Sequence, residues 1–161
     1  MKLKKNRIFW IIAAVSVVLD QLTKFWVLQN FELDESWPLW EGVFHFTYVT
    51  NTGAAFSLFS NNGGWLRWLS LVVSLGLMAL AWFSPRLNKW EQMGYGLILG
   101  GAIGNGIDRF FLGHVTDFLH FTLINFPVFN IADVSINIGI VCLLIVALKT
   151  PPQQSKGKAR K

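Results

Sequence analysis

Between Gly100 and Asp133 the chain reads GGAIGNGIDRFFLGHVTDF, then a short apolar connection, then FNIADVSI. Asn105, Asp108, Arg109, Asp117, Asn130 and Asp133 are gathered there, in a sequence that is otherwise mostly apolar. Asp117 and Asp133 are the pair with the most chemistry to offer. A single Asp near a helix N-terminus is ordinarily a cap favoured by the helix dipole. Two carboxyls brought to one wall are different, because they cannot both ionise: one keeps its proton, and the pair can hold a water between a general base and a general acid. Such a pair suits aspartic proteolysis, in which one carboxylate deprotonates the water and the other carboxylic acid polarises the scissile carbonyl.

Other polar residues could support that pair. Asp20 and Lys24 are four residues apart on one helical face, in the acid-then-base order that suits an ion pair. Each such charge deep in a bilayer costs roughly 2.5 to 3.5 kcal/mol, so the pair either locks its helix to its neighbours or takes a direct part. Gly101, Asn105 and Arg109 share a stripe that ends in a guanidinium able to hold carbonyl oxygens, an arrangement suited to an extended peptide. Gly96, Gly100 and Gly104 recur every four residues beside it and favour close helix packing. Asp108, next to Arg109, reads as a structural partner or surface cap, since its neighbour keeps it ionised. In NTGAAF, Asn51 carries donors and acceptors and Gly53 permits a turn or a close backbone approach. No HExxH, CxxC or tight His/Asp spacing is present, so neither metal nor cofactor is expected, and His114 and His120 read as structural. Cys142 is the one cysteine, which rules out an intrachain disulfide and leaves a packed thiol.

The elements that must position these groups are membrane helices. Apolar residues make up 53% and charged residues 14% of the 161, and the mean hydropathy is +0.44, a balance foreign to a soluble domain of this size. Residues 8–28, 66–83, 94–112 and 131–148 read as four spans of one integral membrane domain; the first, at 1.5 Å per residue, is about 31 Å long. KLKKNR followed by IFWIIAAVSVVL could open a cleaved signal peptide, but DQLTK follows in place of a small-x-small site. Eleven of the fourteen Lys and Arg residues lie on the two tails or the turn with Arg86 and Lys89, while 25–66 and 110–148 contain none. Both termini, including the basic tail 150–161, are therefore expected in the cytoplasm and both longer loops outside. Basic residues confined to the ends speak against nucleic acid and for a phospholipid surface. In the outer loop 29–64, VFHFTYVT alternates like a strand, with Phe44, Phe46 and Tyr48 on one face.

Four ordered motifs, DQLTK from Asp20, NTGAAFS from Asn51, GGAIGNGIDRFFLGHVTDF from Gly100 and FNIADVSI from Phe129, closely resemble those of the lipoprotein signal peptidases (signal peptidase II), over almost the whole chain. The resemblance implies a bacterial inner-membrane aspartic peptidase, mainly α, with a four-transmembrane-helix bundle and a small extracytoplasmic β-cradle. It implies Asp117 and Asp133 as the catalytic dyad. Asp20, Lys24, Asn51, Gly53, Ala54, Gly101, Asn105, Arg109, Asn130 and Ala132 match supporting or substrate-contacting positions, with Asn105 and Arg109 holding the peptide backbone. The implied substrate is a prolipoprotein whose lipobox cysteine bears diacylglycerol, cut just before that cysteine, and the implied inhibitor is globomycin. The chain is expected to be a monomer. A small proton- or ion-coupled transporter is the main rival, since intramembrane Asp, Lys and Arg also mark ion paths. It would need polar residues through the full membrane depth, whereas the key charges here lie outward. A helix-packing scaffold would leave Asp117, Asn130 and Asp133 without a role.

Overall fold

The computed structural model describes residues 5–53 and 64–149. Lys2, Lys4, Ala54 with the outer loop on to residue 63, and the tail 150–161 lie outside the described residues. The elements run α1 (Arg7–Asn30), β1 (Ser36–Trp40), β2 (Phe44–Asn51), α2 (Leu66–Phe83), α3 (Lys89–Phe111), β3 (Val115–Phe121), a single 3-10 turn (Thr122–Ile124) and α4 (Ile131–Lys149).

Helices α1, α2 and α4 are each long and apolar enough to cross a membrane. Their boundaries fall within two residues of those read from hydropathy. Helix α3 begins at Lys89, five residues earlier than the apolar run suggests, because Asn88 and Glu91 form a reciprocal capping box: Asn88 Oδ1 accepts from Glu91 N at 2.9 Å, and Asn88 N donates to Glu91 Oε2 at 2.7 Å. Its 23 residues suffice in length, but its glycines and charged groups set it apart in composition from the other three.

The glycines explain where α3 sits, packed against α1, α2 and α4. A Cβ on Gly96 would come within 2.7 Å of Phe9 O, and one on Gly100 within 2.4 Å of Ser16 Cβ, so this stripe is filled by α1. On the α4 side, a Cβ on Gly101 would meet Ala132 O at 2.4 Å. Small residues bring these backbones together where apolar solvent gives no hydrophobic drive. Ser16 Oγ donates to Ser135 Oγ at 2.8 Å, tying α1 to α4 inside the same packing.

A three-stranded antiparallel sheet, ordered β1-β2-β3, covers one end of this bundle. Phe46 and Tyr48 lie against Val27, Phe31 and Phe118, so the sheet shares a core with the end of α1. The third strand was not expected: the segment around Asp117 reads as a helix end and loop, yet Val115–Phe121 pairs with β2. Gly113, at φ +80°, makes the turn from α3 into this strand, a conformation that strains any side chain. The β2–β3 register shifts between Phe46 and Val49, and beyond that irregularity Val49 faces Asp117 and Asn51 faces Val115. Pairing thus delivers Asn51 to the neighbourhood of Asp117.

Candidate active site

The site rests on a buried charge cluster between α1 and α3. Lys24 is 2% exposed; its Nζ lies 2.9 Å from Asp20 Oδ2 and 3.0 Å from Asp108 Oδ2, and it donates to Asn105 Oδ1 at 2.9 Å. Gln21 Nε2 donates to Asp20 Oδ2, Asp108 Oδ1 and Gly104 O. Each carboxylate also holds a backbone amide of another element. Asp20 Oδ1 accepts from Ala132 N at 2.9 Å, fixing the first turn of α4, and Asp108 Oδ2 accepts from Thr116 N at 3.0 Å, fixing β3 one residue before Asp117. Buried charges need this degree of satisfaction, since desolvation otherwise exceeds the attraction between them.

The partner of Asp108 is therefore Lys24 and not Arg109, and at 4% exposure it is no surface cap. The signal was present in the sequence: adding four to Gly96, Gly100 and Gly104 puts Asp108 on the stripe that meets α1. Gln21 was also missed, although it sits inside DQLTK, because its neighbours are the acids on either side of the α1–α3 seam.

From this base two asparagines carry order to the carboxyls. Asn105 Oδ1 accepts from Lys24 and from Asn130 Nδ2 at 3.0 Å, so its own amide nitrogen faces outward and donates to Asp133 Oδ1 at 2.8 Å. Asn130 precedes α4 and makes a reciprocal box with Asp133: Asn130 N donates to Asp133 Oδ2 at 3.2 Å, and Asp133 N to Asn130 Oδ1 at 3.0 Å. Asn130 Nδ2 also donates to Asp117 Oδ1 at 2.6 Å, and Asn51 Nδ2 donates to Asp117 Oδ2 at 3.1 Å. One buried amide thus touches both acidic residues. Asp117 is 2% exposed, and its carboxyl is raised from 3.8 to about 7, first by burial and then by the charge of Asp133, against the opposing hydrogen bonds of Asn51 and Asn130.

Asp117 and Asp133 line the same cavity of about 1090 Å³, together with Asn51, Asn105 and Arg109. Its other walls are mostly apolar, from Phe121, Ile124, residues 126–129, Val134, Ile136 and Ile138, with Thr50, Thr52 and Asn137 as further polar side chains. Arg109 Nη2 donates to Gly53 O at 3.1 Å, and Asn51 Oδ1 accepts from Gly53 N at 2.9 Å, so Gly53 is held beside the cavity mouth. Arg109 Nε is buried with no partner among the described residues. Gly101 does not reach the cavity, being covered by α4; of its stripe only Asn105 and Arg109 do. Ala132 acts through its backbone, on Asp20, and Ala54 lies outside the described residues. Among the described residues no three His, Cys, Asp or Glu side chains stand close enough to hold a metal. His45 and His120 lie on the sheet, where Ser36 and Thr47 link them by hydrogen bonds.

Apolar helices with an acidic, largely apolar-walled cavity at one end define a multi-pass membrane protein with a site for hydrolytic chemistry. The family model described as signal peptidase (SPase) II matches residues 12–149, and the chain belongs to that family of aspartic signal peptidases. It is 66% identical over 148 residues to a lipoprotein signal peptidase of Nostoc sp. (strain PCC 7120), covering 92% of this chain and 94% of that one. To a protein of the same name from Cyanothece sp. (strain PCC 7425) it is 62% identical over 159 residues, covering 97% and 92%. A solved bacterial membrane enzyme shares the fold, with a TM-score of 0.81, 28% identity and 93% of each chain covered.

Proposed function

We propose that this chain removes signal peptides from prolipoproteins by cutting just before a diacylglyceryl-modified cysteine, with Asp117 and Asp133 as its catalytic pair. What carries the reading is the placement of both carboxyls on one cavity, linked through Asn130, with Asp117 holding its proton up to about 7. Water lies between the two. Asp133 takes a proton from it while the carboxylic acid of Asp117 polarises the scissile carbonyl. The water oxygen bonds to the carbonyl carbon, the C–N bond breaks, and Asp133 gives the proton it took from the water to the departing amine. Burial in low-dielectric walls and the charge of Asp133 keep the proton on Asp117. Asn105 and Arg109 face the peptide, and no cofactor takes part.

The substrate suits the surroundings. Its acyl chains stay in lipid, its signal segment enters from the bilayer, and only the cleavage point needs water. In this reading α3 is a fourth span, both termini are cytoplasmic, and the sheet lies on the outer face of the bacterial inner membrane, as the distribution of Lys and Arg favours. The whole chain works as one domain and as a monomer, and globomycin competes for the cavity. A transporter reading is disfavoured because the clustered charges converge on one end of the bundle. Purified protein in detergent is mixed with a diacylglyceryl-modified precursor and the product sized, with and without chelator. Cleavage at the modified cysteine, unaffected by chelator and absent in Asp133→Asn, is expected; chelator-sensitive cleavage, or normal turnover by that variant, would refute the mechanism.

A further inference from the structure

Asn137 has no part in the network described above. It follows Asp133 by one helical turn, is exposed, and lines the same cavity between Ile136 and Ile138. Helix α4 is the most apolar of the candidate spans, with mean hydropathy 2.5. Between Asp133 and Lys149, Asn137 is its one exposed polar side chain; Ser135 is buried against α1. An amide on a face bathed by apolar groups is unfavourable unless something polar meets it. Asn137 Nδ2 donates to Asp133 O at 2.9 Å, which uses one of its two amide hydrogens. The other hydrogen and Oδ1 have no partner among the described residues.

We infer that Asn137 is a substrate-contacting residue that pairs with the peptide backbone of the signal segment, on the membrane side of the cleavage point. One turn of helix puts it about 6 Å deeper than Asp133, and an extended peptide advances about 3.3 Å per residue, so the contact falls about two residues before the scissile bond. The remaining donor and acceptor match the C=O and N–H of a peptide group, whereas the glyceryl esters of the lipid offer acceptors alone. The inference rests on the peptidase reading above.

The test compares kcat/KM for wild type and Asn137→Leu on a diacylglyceryl-modified precursor and on analogues in which each of the four peptide links before the cut is replaced in turn by an ester, removing one N–H. Thermal midpoints are measured alongside, and Asn137→Ala replaces Asn137→Leu if the latter does not fold. The variant is expected to lose about three- to tenfold, the worth of one net hydrogen bond. One ester analogue should cost wild type a similar factor, and that analogue should cost the variant nothing more. Fully additive losses at every link would overturn the contact. So would coupling of Asn137 to an ether-linked lipid analogue in place of a peptide link. Failure of wild type to cut the diacylglyceryl-modified precursor with all its peptide links intact would overturn the peptidase reading itself, and this contact with it.

Discussion

Replacing Asp117 by Asn removes a charge while nearly preserving shape, and the consequences can be worked in both stability and activity. Burial and the charge of Asp133 raise the Asp117 carboxyl from 3.8 to about 7, so the folded protein binds this proton more tightly than the unfolded chain does. Stability from that source is complete below about pH 4 and is lost as pH rises towards 7. At about 1.4 kcal/mol per tenfold change in proton affinity, the wild type gives up roughly 4 kcal/mol across this window. Asn cannot titrate and has one acceptor in place of two, so one of the donors from Asn51 and Asn130 faces an amide N–H, at a cost of about 1 to 2 kcal/mol. Asp117→Asn should therefore be more stable than wild type by roughly 2 to 3 kcal/mol above pH 7, with the advantage vanishing near pH 5 and reversing near pH 4. Cleavage should be abolished throughout. The assay is reversible unfolding of both proteins in mixed detergent micelles from pH 4 to 8.5, with precursor cleavage measured on the same samples. Stability curves that run parallel across the whole range would refute the placement of the buried proton on Asp117.

Lys24→Met leaves Asp20 and Asp108 facing each other without their shared cation; unfolding in detergent should show a loss of about 3 to 5 kcal/mol. Gly104→Ala would put a Cβ 2.4 Å from Asp20 Oδ2 and disturb the carboxylate that fixes α4, so both stability and turnover should fall, the former by about 1 to 3 kcal/mol. Gly76→Ala, where nothing lies within 4 Å, is the matched control and should gain up to about 1 kcal/mol in the same assay. Arg109→Ala should raise KM for the precursor more than it lowers the thermal midpoint, since its guanidinium faces the cavity and Gly53.

Much of this arrangement was legible in local sequence, and the rest was not, for identifiable reasons. Helices α1, α2 and α4 follow from unbroken apolar runs, whereas the start of α3 is set by a cap, Asn88 with Glu91, which hydropathy does not see. Strand β2 alternates visibly, but β3 owes its existence to a partner about seventy residues away. Apolar and polar side chains fall on both of its faces, and both faces are buried at its start, so no clean alternation marks it. The acidic pair and its asparagines stood out as polar groups in an apolar chain. What joins them did not: the Lys24–Asp108 pair, the grip of Asp108 on Thr116 N and the reach of Gln21 all cross between helices. The glycine ladder was read correctly as packing on the α1 side, while Gly101, expected to face a peptide, packs under α4 for the same steric reason.

The central claim is that the two acidic residues on the cavity share one titrating proton, seated on Asp117. Infrared difference spectroscopy of the wild-type protein in detergent, titrated from pH 5 to 9, reads that proton directly through the C=O stretch of a protonated carboxyl. A band that disappears with a midpoint near 7 and is missing from Asp117→Asn is expected. A wild-type spectrum with no protonated carboxyl above pH 5, or a band that survives in Asp117→Asn unchanged, would contradict it.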